Sequence, residues 1–311
     1  MGEKNSRPIL VTGTHRSGTT WVGRMLAADP ELAYISEPLN VWHRPGVMRA
    51  PTQYWYTYIC EDNQLEYETA FQEMFAFHYH GWLEIKSLRS VKDFIRMGRD
   101  WGTFWQASRN NQIPLIKDPF AIFSTEWFAH ILGCQVVIVV RHPAAVASSL
   151  ARLDWDFDFS DLLDQPLLMR DILEPFKMEM KSILASEEDV VAQSSLLWRM
   201  LYKTVNSLRE KHPDFIVIRH EDISIDPLGQ FEQLYGTLGL DYSSQVRQII
   251  QSSSSVKNPK EVSQSKVHSV RVDSQANIKN WQQRLSESDI ERVRYLTRDV
   301  APLYYSDEDW Q

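Results

Sequence analysis

The sequence has few cysteines, no long apolar run and no excess of positive charge. It contains two cysteines, Cys60 and Cys134, among 311 residues, so no disulfide framework is predicted and a reducing compartment is expected. No stretch reaches the ~18 apolar residues of a membrane-spanning helix. The first six residues, Met-Gly-Glu-Lys-Asn-Ser, lack an apolar signal segment, which predicts a cytoplasmic location. A net charge of -8 argues against nucleic acid as the main partner.

The remaining composition is that of a globular protein, with 43% hydrophobic and 24% charged residues. Short apolar runs alternate with stretches of helical spacing, which predicts a single α/β domain over residues 1–311 with a mostly parallel sheet. The predicted strands are 8–12, 32–36, 113–116, 135–140 and 215–218. The predicted helices are 19–28, 64–80, 91–110, 120–132, 144–152, 167–184 and 190–211, and further helices starting at 227 and 281.

A glycine-bounded loop follows the first predicted strand. Gly13 and Gly18 bracket four residues, and a helix begins directly afterwards. Backbone N–H groups and the helix N-terminus make such a loop a cradle for phosphate. The pattern departs from that of nucleotide triphosphatases, because Thr19 stands where they carry the lysine that reaches the β- and γ-phosphates. Arg16 supplies the cation instead, so the loop predicts phosphate binding without Mg-ATP chemistry.

Polar side chains follow several of the predicted strands. Gly13, Glu37, Lys117, Arg141 and His220 each come at the end of a strand. The carboxyl ends of parallel strands meet at one edge of a sheet, where α/β proteins bind their ligands. These five residues are therefore expected to converge on one cleft.

The stretch Thr-His-Arg-Ser-Gly-Thr-Thr-Trp, from Thr14 to Trp21, resembles the 5′-phosphosulfate loop of sulfotransferases that use 3′-phosphoadenosine 5′-phosphosulfate (PAPS). Arg141 and Ser149 resemble the pair that holds the 3′-phosphate in that family. The resemblance implies a three-layer α/β/α fold, related to that of P-loop nucleotide kinases, and PAPS as co-substrate without a metal. It assigns the cofactor to Thr14, His15, Arg16, Ser17, Gly18, Thr19, Thr20, Trp21, Arg141, Ser149, His220 and Lys279.

The resemblance also suggests how the reaction is catalysed. Lys117 and Glu37 resemble the lysine and the glutamate base of tyrosyl-protein and heparan-type sulfotransferases. In the cytosolic small-molecule enzymes, the base is a histidine at the position of Pro119. Glu37 is therefore expected to act as general base, with His43 as the alternative, and Lys117 and Arg16 to stabilise the charge that develops.

Residues 41–110 form an aromatic segment that is interpreted as an insertion on the acceptor side, or alternatively as a lid packed on the core. Trp42, His43 and Trp55 are its candidate acceptor-binding residues. The expected acceptor bears a hydroxyl group and is a carbohydrate or another small molecule. Residues 251–276, rich in serine, are expected to form a mobile loop over the cofactor. The alternative functions are a P-loop kinase or nucleotide triphosphatase and a non-catalytic 3′-phosphonucleotide-binding protein.

Overall fold

A parallel sheet forms the centre of the molecule. The computed structural model describes residues 6–186, 189–259 and 273–311. The sheet has the strand order β2-β3-β1-β4-β5, and every pair of neighbours runs parallel. Ile9 of β1 lies opposite Leu115 of β3 and Gln135 of β4. The strands are β1 Ile9–Gly13, β2 Leu32–Ser36, β3 Ile113–Lys117, β4 Gln135–Val140 and β5 Ile216–Arg219.

Helices cover both faces of the sheet. They are α1 Thr19–Leu26, α2 Glu68–Phe75, α3 Gly81–Ser87, α4 Val91–Arg109, α5 Thr125–His130, α6 Pro143–Ala151, α7 Ser160–Leu163, α8 Pro166–Leu168, α9 Lys177–Ser186, α10 Val190–Lys211, α11 His220–Ile225, α12 Pro227–Leu238, α13 Ser244–Ser253, α14 Trp281–Arg284 and α15 Glu287–Leu296. Single 3₁₀ segments lie at Gln64–Glu66, Pro119–Ser124, Glu174–Phe176, Ala301–Leu303 and Asp307–Trp310.

The two faces of the sheet carry separate apolar cores, because successive side chains of a strand point to opposite sides. Ile9 and Val11 pack with apolar residues of α1, α12 and α13. Leu10, between them, packs in a larger core with residues of α2, α5, α6 and α10. The predicted three-layer α/β/α architecture with a parallel sheet is thus confirmed.

Several predicted helices differ from those observed. The predicted helix 167–184 is interrupted by a π-helical turn at Met169–Leu173 and a 3₁₀ turn at Glu174–Phe176. Pro175 explains the interruption, because proline lacks the N–H of a helical hydrogen bond and clashes with the preceding turn. The predicted helix 64–80 ends at Phe75, and the last predicted helix breaks between Arg284 and Glu287. Within the predicted loop 251–276, α13 continues to Ser253, and residues 260–272 lie outside the described ones.

Candidate functional site

The loop between β1 and α1 has the backbone geometry of a phosphate cradle. Arg16 and Gly18 adopt left-handed φ angles of 70° and 96°. A Cβ atom on Gly18 would lie 2.4 Å from Cδ2 of His220, and one on Gly13 would lie 2.4 Å from the carbonyl oxygen of Val139. Glycine is therefore required at both positions. The loop delivers the chain to α1, whose first-turn amides have no partner within the helix.

Two arginines from different elements meet behind this loop. Arg16 donates from Nε to Oγ of Ser149 at 3.0 Å. Arg141, at the end of β4, donates from Nη1 to the carbonyl oxygen of Arg16 at 2.8 Å. The Nε of Arg141 is buried and has no hydrogen-bond partner among the described residues. Burial, followed by the charge of Arg141, lowers the pKa of Arg16 to about 10, and burial lowers that of Arg141. The geometry is that of an anion site.

Two aromatic residues of helix α10 hold the backbone segments that form this anion site. Tyr202 accepts a hydrogen bond from the Thr14 amide at 3.3 Å and donates one to the Val139 carbonyl at 3.0 Å. Trp198, one turn earlier, donates from Nε1 to the Arg141 carbonyl at 2.8 Å. Both aromatic side chains are fully buried in the core, so the loop and the β4 end are fixed relative to each other.

A carboxylate and a lysine form an ion pair at the ends of β2 and β3. Lys117 Nζ contacts Oε1 of Glu37, and Asn40 donates from Nδ2 to Oε2 of the same carboxylate at 2.8 Å. The Glu37 amide donates to the Lys117 carbonyl at 2.8 Å, and Glu37 has a left-handed φ of 52°. Lys117 is 1% exposed, and its stem packs beside Gly23 of α1. The ion pair therefore fixes the position of the Glu37 carboxylate.

Asp118 joins the two segments on either side of this ion pair. Its carboxylate accepts hydrogen bonds from the Leu39 amide at 2.6 Å and the Phe120 amide at 2.9 Å. Asp118 is fully buried, and burial raises the pKa of its carboxyl to about 7, although both hydrogen bonds act in the opposite direction. The turn after Glu37 and the turn after Lys117 are held together by this side chain.

The phosphate loop and Glu37 line one cavity of about 580 Å³. Its lining residues are His15, Arg16, Gly18, Thr19, Thr20, Trp21, Glu37, Asn40, Trp42, Trp55, Pro119, Phe120, Arg141, Ser149, Arg152, Trp155, Asp156, Phe157, Asp158, Asp161, His220, Ser224, Ser274, Asn277 and Arg284.

The chain matches a known protein family over most of its length. The sequence model described as the sulfotransferase family matches residues 8–244. The chain belongs to the sulfotransferase family. This match confirms the family that the Thr14–Trp21 stretch predicts, while the closeness to tyrosyl-protein and heparan-type members stays a prediction.

Solved sulfotransferase structures are similar to this sulfotransferase over most of its length. A sulfotransferase domain from the curacin biosynthetic pathway is 13% identical, covers 97% of this chain and 99% of its own, and has a TM-score of 0.48. The sulfotransferase domain of the Synechococcus PCC 7002 olefin synthase is 15% identical to this chain. The alignment covers 99% of this chain and 98% of that domain, with a TM-score of 0.49. Mouse sulfotransferase SULT7A1 complexed with PAP is 12% identical to this chain. The alignment covers 97% of this chain and 86% of the mouse protein, with a TM-score of 0.44. No curated protein sequence matches this chain significantly.

Most of the predicted site residues of this sulfotransferase come together in the cavity. Thr14 and Ser17 are buried within the loop and do not line the cavity. Lys117 contacts the cavity only through its partner Glu37. Lys279 lies apart, because its ammonium donates to the carbonyl oxygen of Gln311. The role proposed for each of these residues stays a prediction.

His43, the alternative base, also lies apart from the cavity. Its Nδ1 is 2.6 Å from Oγ1 of Thr52 and 3.0 Å from the carbonyl oxygen of Asn40. Burial lowers the pKa of the His43 imidazole. Glu37, in contrast, lines the cavity directly, so its geometry is better suited to receive a proton from a bound acceptor.

Trp21 and His220 form the end of the cavity beyond the phosphate loop. Their ring centroids are 5.9 Å apart, and Trp21 Nε1 donates to Oγ of Ser253 at 3.1 Å. Burial lowers the pKa of His220 well below its usual value, so the ring is neutral at pH 7. Phe231 packs edge-on against Trp21 from the α12 side. The two rings are inclined at 63° to each other, and neutral aromatic side chains of this kind can contact a nucleobase.

Part of the cavity wall was not predicted from the sequence. Arg152 at the end of α6 and Arg284 in α14 bring two further cations to the cavity. The only sequence signal for Arg284 is its position three residues after Trp281, which places both on one side of a helix. The acidic and aromatic stretch 155–158 also contributes to the wall, through Trp155, Asp156, Phe157 and Asp158.

Aromatic rings line the cavity on the side of the predicted acceptor. Trp42 and Trp55 meet edge-to-face with centroids 5.2 Å apart, and Trp55 lies 4.5 Å from Phe120. Trp42 is 81% exposed, so it stands at the opening of the cavity. Trp42 and Trp55 thus line the cavity, whereas His43 does not, and the acceptor-binding role of all three stays a prediction.

Residues 6–186, 189–259 and 273–311 contain no group of three His, Cys, Asp or Glu side chains arranged to hold a metal ion. No helix in the described part of the chain combines the length and the apolar character needed to cross a bilayer.

Proposed function

We propose that this sulfotransferase uses PAPS and transfers its sulfuryl group to an acceptor hydroxyl, releasing 3′,5′-ADP. The observation that carries the proposal is the anion site of Arg16, Arg141 and Ser149, which opens on the same cavity as Glu37. The unpartnered, buried Nε of Arg141 fits a phosphate group, because a guanidinium is a strong bidentate donor to phosphate oxygens.

The residues of the chain fit PAPS along the length of the cavity. The loop from Thr14 to Thr19 would hold the 5′-phosphosulfate, and Arg141 with Ser149 would hold the 3′-phosphate. Trp21 would stack against adenine, and His220, inclined to Trp21, would contact it from the side. PAPS supplies an activated sulfuryl group, so the chain needs only to position both substrates and to stabilise charge. Lys279 has no part in this proposal because it bonds to Gln311.

Glu37 would accept the proton of the acceptor hydroxyl. Lys117 and Asn40 hold one oxygen each of its carboxylate, which fixes its direction and favours the ionised form. Arg16 would balance the negative charge at the loop. The acceptor oxygen would approach from the side of Trp42 and Trp55.

The acceptor side of the cavity suggests which acceptors fit. Asp156, Asp158 and Asp161 join the aromatic rings there, and burial with the charges of Asp158 and Asp164 raises the pKa of Asp161 to about 6. Crowded carboxylates repel anions and attract cations. We therefore propose a neutral or cationic hydroxyl compound, with a sugar among the neutral candidates, rather than a polyanionic one.

Calorimetric titration with 3′,5′-ADP, and separately with Mg-ATP, tests the cofactor. Binding of 3′,5′-ADP that persists in the presence of a chelator, together with weak binding of Mg-ATP, is the expected result. Preference for Mg-ATP would overturn the assignment of Arg141 and Ser149 and favour a kinase. Thr19, at the position of the triphosphatase lysine, argues against that alternative.

Turnover tests the remaining alternative, a protein that binds 3′-phosphonucleotides without catalysis. PAPS labelled in the sulfuryl group is incubated with neutral, cationic and anionic hydroxyl compounds, and transfer of the label is followed. Transfer to at least one neutral or cationic compound is expected. Binding of 3′,5′-ADP without transfer to any compound would favour the non-catalytic alternative.

A further inference from the structure

Helices α3 and α4 carry an unusual number of exposed apolar side chains. Eight of the eighteen large apolar residues exposed in the described part of the chain lie between residues 82 and 105. Trp82 is 81% exposed and Trp101 is 57% exposed. Single exposed apolar residues are ordinary on protein surfaces, but a concentration of this size marks an interaction surface. The other six exposed apolar residues of this region are Leu83, Ile85, Val91, Phe94, Ile95 and Trp105.

The apolar residues of α4 lie on one face of the helix. Val91, Phe94, Ile95, Trp101 and Trp105 follow helical spacing and share an arc of about 120°. Gly98 and Gly102 lie within the same arc, and a Cβ atom on either would meet no heavy atom within 4 Å. No part of the described chain therefore covers this face. The opposite side of α4 buries only Phe104 and Ala107.

Polar contacts attach the two helices to the body of the protein. Arg44 pairs with the buried Glu84 of α3 and, through Nη1, with Asp100 of α4 at 3.0 Å. The other oxygen of Glu84 accepts from the Gly46 amide at 2.8 Å. Arg44 lies two residues from Trp42, which lines the acceptor side of the cavity. The exposed helices and that side of the cavity thus belong to one anchored segment.

The charge of this segment is opposite to that of the whole chain. Residues 82–109 contain six Lys or Arg and three Asp or Glu, a net charge of +3, whereas the chain carries -8. The acidic residues face the body of the protein or the end of the helix. Glu84 and Asp100 both form ion pairs with Arg44. Asp93 accepts a hydrogen bond from Ser90 at the N-terminus of α4. The basic residues are exposed. They are Lys86, Arg89, Lys92, Arg96, Arg99 and Arg109.

Lys92, Arg96 and Arg99 form a stripe on one flank of the apolar face of α4. Arg96 approaches Asp93 at 3.7 Å, and Arg99 approaches Asp100 at 3.3 Å. Ion pairs on an exposed surface contribute little and leave the positive field in place. An apolar face with tryptophan beside a basic flank is the pattern of a helix that lies in a membrane interface.

We propose that the α3–α4 surface docks on an anionic lipid bilayer. Charge complementarity favours this occupant over a second copy of the chain, because two copies meeting through α4 would bring two positive segments together. The tryptophans favour a bilayer over an acidic protein, because their rings prefer the boundary between lipid and water. Docking would hold the acceptor side of the cavity near the membrane, independently of the sulfuryl-transfer proposal.

Co-sedimentation of the full chain with vesicles tests this proposal. Phosphatidylcholine vesicles with and without phosphatidylserine are compared. Binding to the phosphatidylserine vesicles is expected, and it should fall as salt is raised, since exposed charges are screened. Substitution of Lys92, Arg96 and Arg99 by Gln should lower the partition coefficient on the order of fivefold per residue. Vesicle binding that is the same with and without phosphatidylserine, and that does not change with salt concentration, would overturn the electrostatic part of the proposal.

The apolar part is tested with matched double variants. Trp101→Ser/Trp105→Ser should bind the phosphatidylserine vesicles at least tenfold more weakly, because two interfacial rings are lost. Leu65→Ser/Met178→Ser removes two exposed apolar side chains outside the α3–α4 surface and should bind as wild type. Circular dichroism and thermal unfolding show whether each variant is folded. Sedimentation velocity without vesicles is run in parallel.

Three outcomes contradict the proposal as a whole. The first is that the wild type binds no vesicle, and the second is that Trp101→Ser/Trp105→Ser binds the vesicles as the wild type does. The third is that the wild type is a dimer that the same variant converts to a monomer, in which case the surface belongs to a second copy of the chain.

Discussion

Glu37 combines a strained backbone with a carboxylate held from two sides. Its left-handed φ is uncommon for a residue other than glycine and is retained only where the surroundings enforce it. Here the Glu37 amide bonds to the Lys117 carbonyl, while the Lys117 ammonium and the Asn40 amide hold the carboxylate. Backbone strain at a site that lines a cavity is consistent with a functional demand on the direction of this side chain.

Substitution of Glu37 by Gln tests its role as general base. The amide cannot accept the proton of the acceptor, so turnover is expected to fall by roughly 10² to 10⁴. Binding of 3′,5′-ADP should persist, because Glu37 is not part of the anion site. Single-turnover transfer from PAPS to the best acceptor and calorimetric binding give the two measurements.

The controls for this variant separate the base from its surroundings. Glu66→Gln changes an exposed carboxylate far along the chain and should leave turnover unchanged. His43→Gln removes the alternative base. If His43→Gln loses turnover while Glu37→Gln retains it, the role passes to the imidazole.

Arg141 is the residue on which the 3′-phosphate assignment depends. Arg141→Gln removes a buried cation whose hydrogen bonds to a charged ligand are worth about 1.5 to 3 kcal/mol. The dissociation constant of 3′,5′-ADP should therefore rise roughly 10- to 150-fold, as measured by calorimetry. Arg141→Lys keeps the positive charge without the planar guanidinium, so its dissociation constant for 3′,5′-ADP should lie between those of the wild type and Arg141→Gln.

Two comparisons make the Arg141 result specific. Arg247→Gln changes an exposed arginine of α13 and should leave 3′,5′-ADP binding as in the wild type. Adenosine lacks both phosphates, so its weak binding should be unaffected by Arg141→Gln. Equal loss of adenosine and 3′,5′-ADP binding would indicate general disruption of the cavity rather than loss of a phosphate contact.

Site residues that follow a strand can be predicted from the sequence, because the carboxyl ends of parallel strands meet at one edge of the sheet. Gly13, Glu37 and Arg141 follow strands that are recognisable as apolar runs, and parallel topology brings their ends to one edge. Arg152 and Arg284 reach the cavity from helices instead. Their approach depends on how α6 and α14 pack, and no local pattern encodes that packing.

At the scale of elements, the β1–α1 turn depends on two glycines with a close approach to neighbouring atoms. Gly18→Ala is expected to lower the free energy of unfolding by about 1 to 3 kcal/mol, because the left-handed φ is strained and the new Cβ would meet the His220 ring. Binding of 3′,5′-ADP should also weaken, since relief of the clash requires the loop or the ring to move. Denaturant unfolding and calorimetry measure the two effects.

Gly236→Ala in α12 is the matched control for Gly18→Ala. A Cβ there would meet no atom within 4 Å, and alanine is the better helix former. This variant should gain about 0.5 to 1 kcal/mol of unfolding free energy and bind 3′,5′-ADP unchanged. Similar effects of both substitutions would show that the close approach of Gly18 to His220 is unimportant.

The differences between predicted and observed elements have local causes. β2, β4 and α10 have the predicted bounds, since each has a clear apolar period and a sharp end. The region 167–184 was predicted as one helix because its apolar spacing is continuous, but Pro175 breaks the hydrogen-bond ladder. The exposure of the α4 face was not predictable, because an amphipathic pattern does not tell which side finds a partner.

On the scale of the whole molecule, side chains of both charges line the cavity. Arg16, Arg141, Arg152 and Arg284 line it with a common positive field, which lowers the pKa of Arg16 after burial itself. The carboxylates of residues 156–161 line the same cavity on the acceptor side. The positive field of the four arginines would attract an anionic donor, although the chain as a whole is acidic.

Buried histidines couple the folding of this cavity to pH. Burial, followed by the charge of Arg16, lowers the pKa of His15 from 6.5 to about 4, while Glu37 acts in the opposite direction. Between these two pH values the unfolded chain binds more protons at this position than the folded protein. The contribution of His15 to stability is therefore complete above about pH 6.5 and is lost as the pH falls towards 4.

His15→Gln tests this coupling without requiring any activity. Other buried groups titrate in the same range, with His142 acting in the same direction and Asp118 in the opposite one, so the difference between wild type and variant is the informative quantity. The wild-type free energy of unfolding minus that of His15→Gln should be constant above pH 6.5. Below that, it should fall by about 1 kcal/mol per pH unit. Denaturant unfolding from pH 4 to 8 measures it, with the exposed His78→Gln as control. A difference that stays constant to pH 4 would mean that the His15 ring gains its proton in the folded protein as readily as in the unfolded chain.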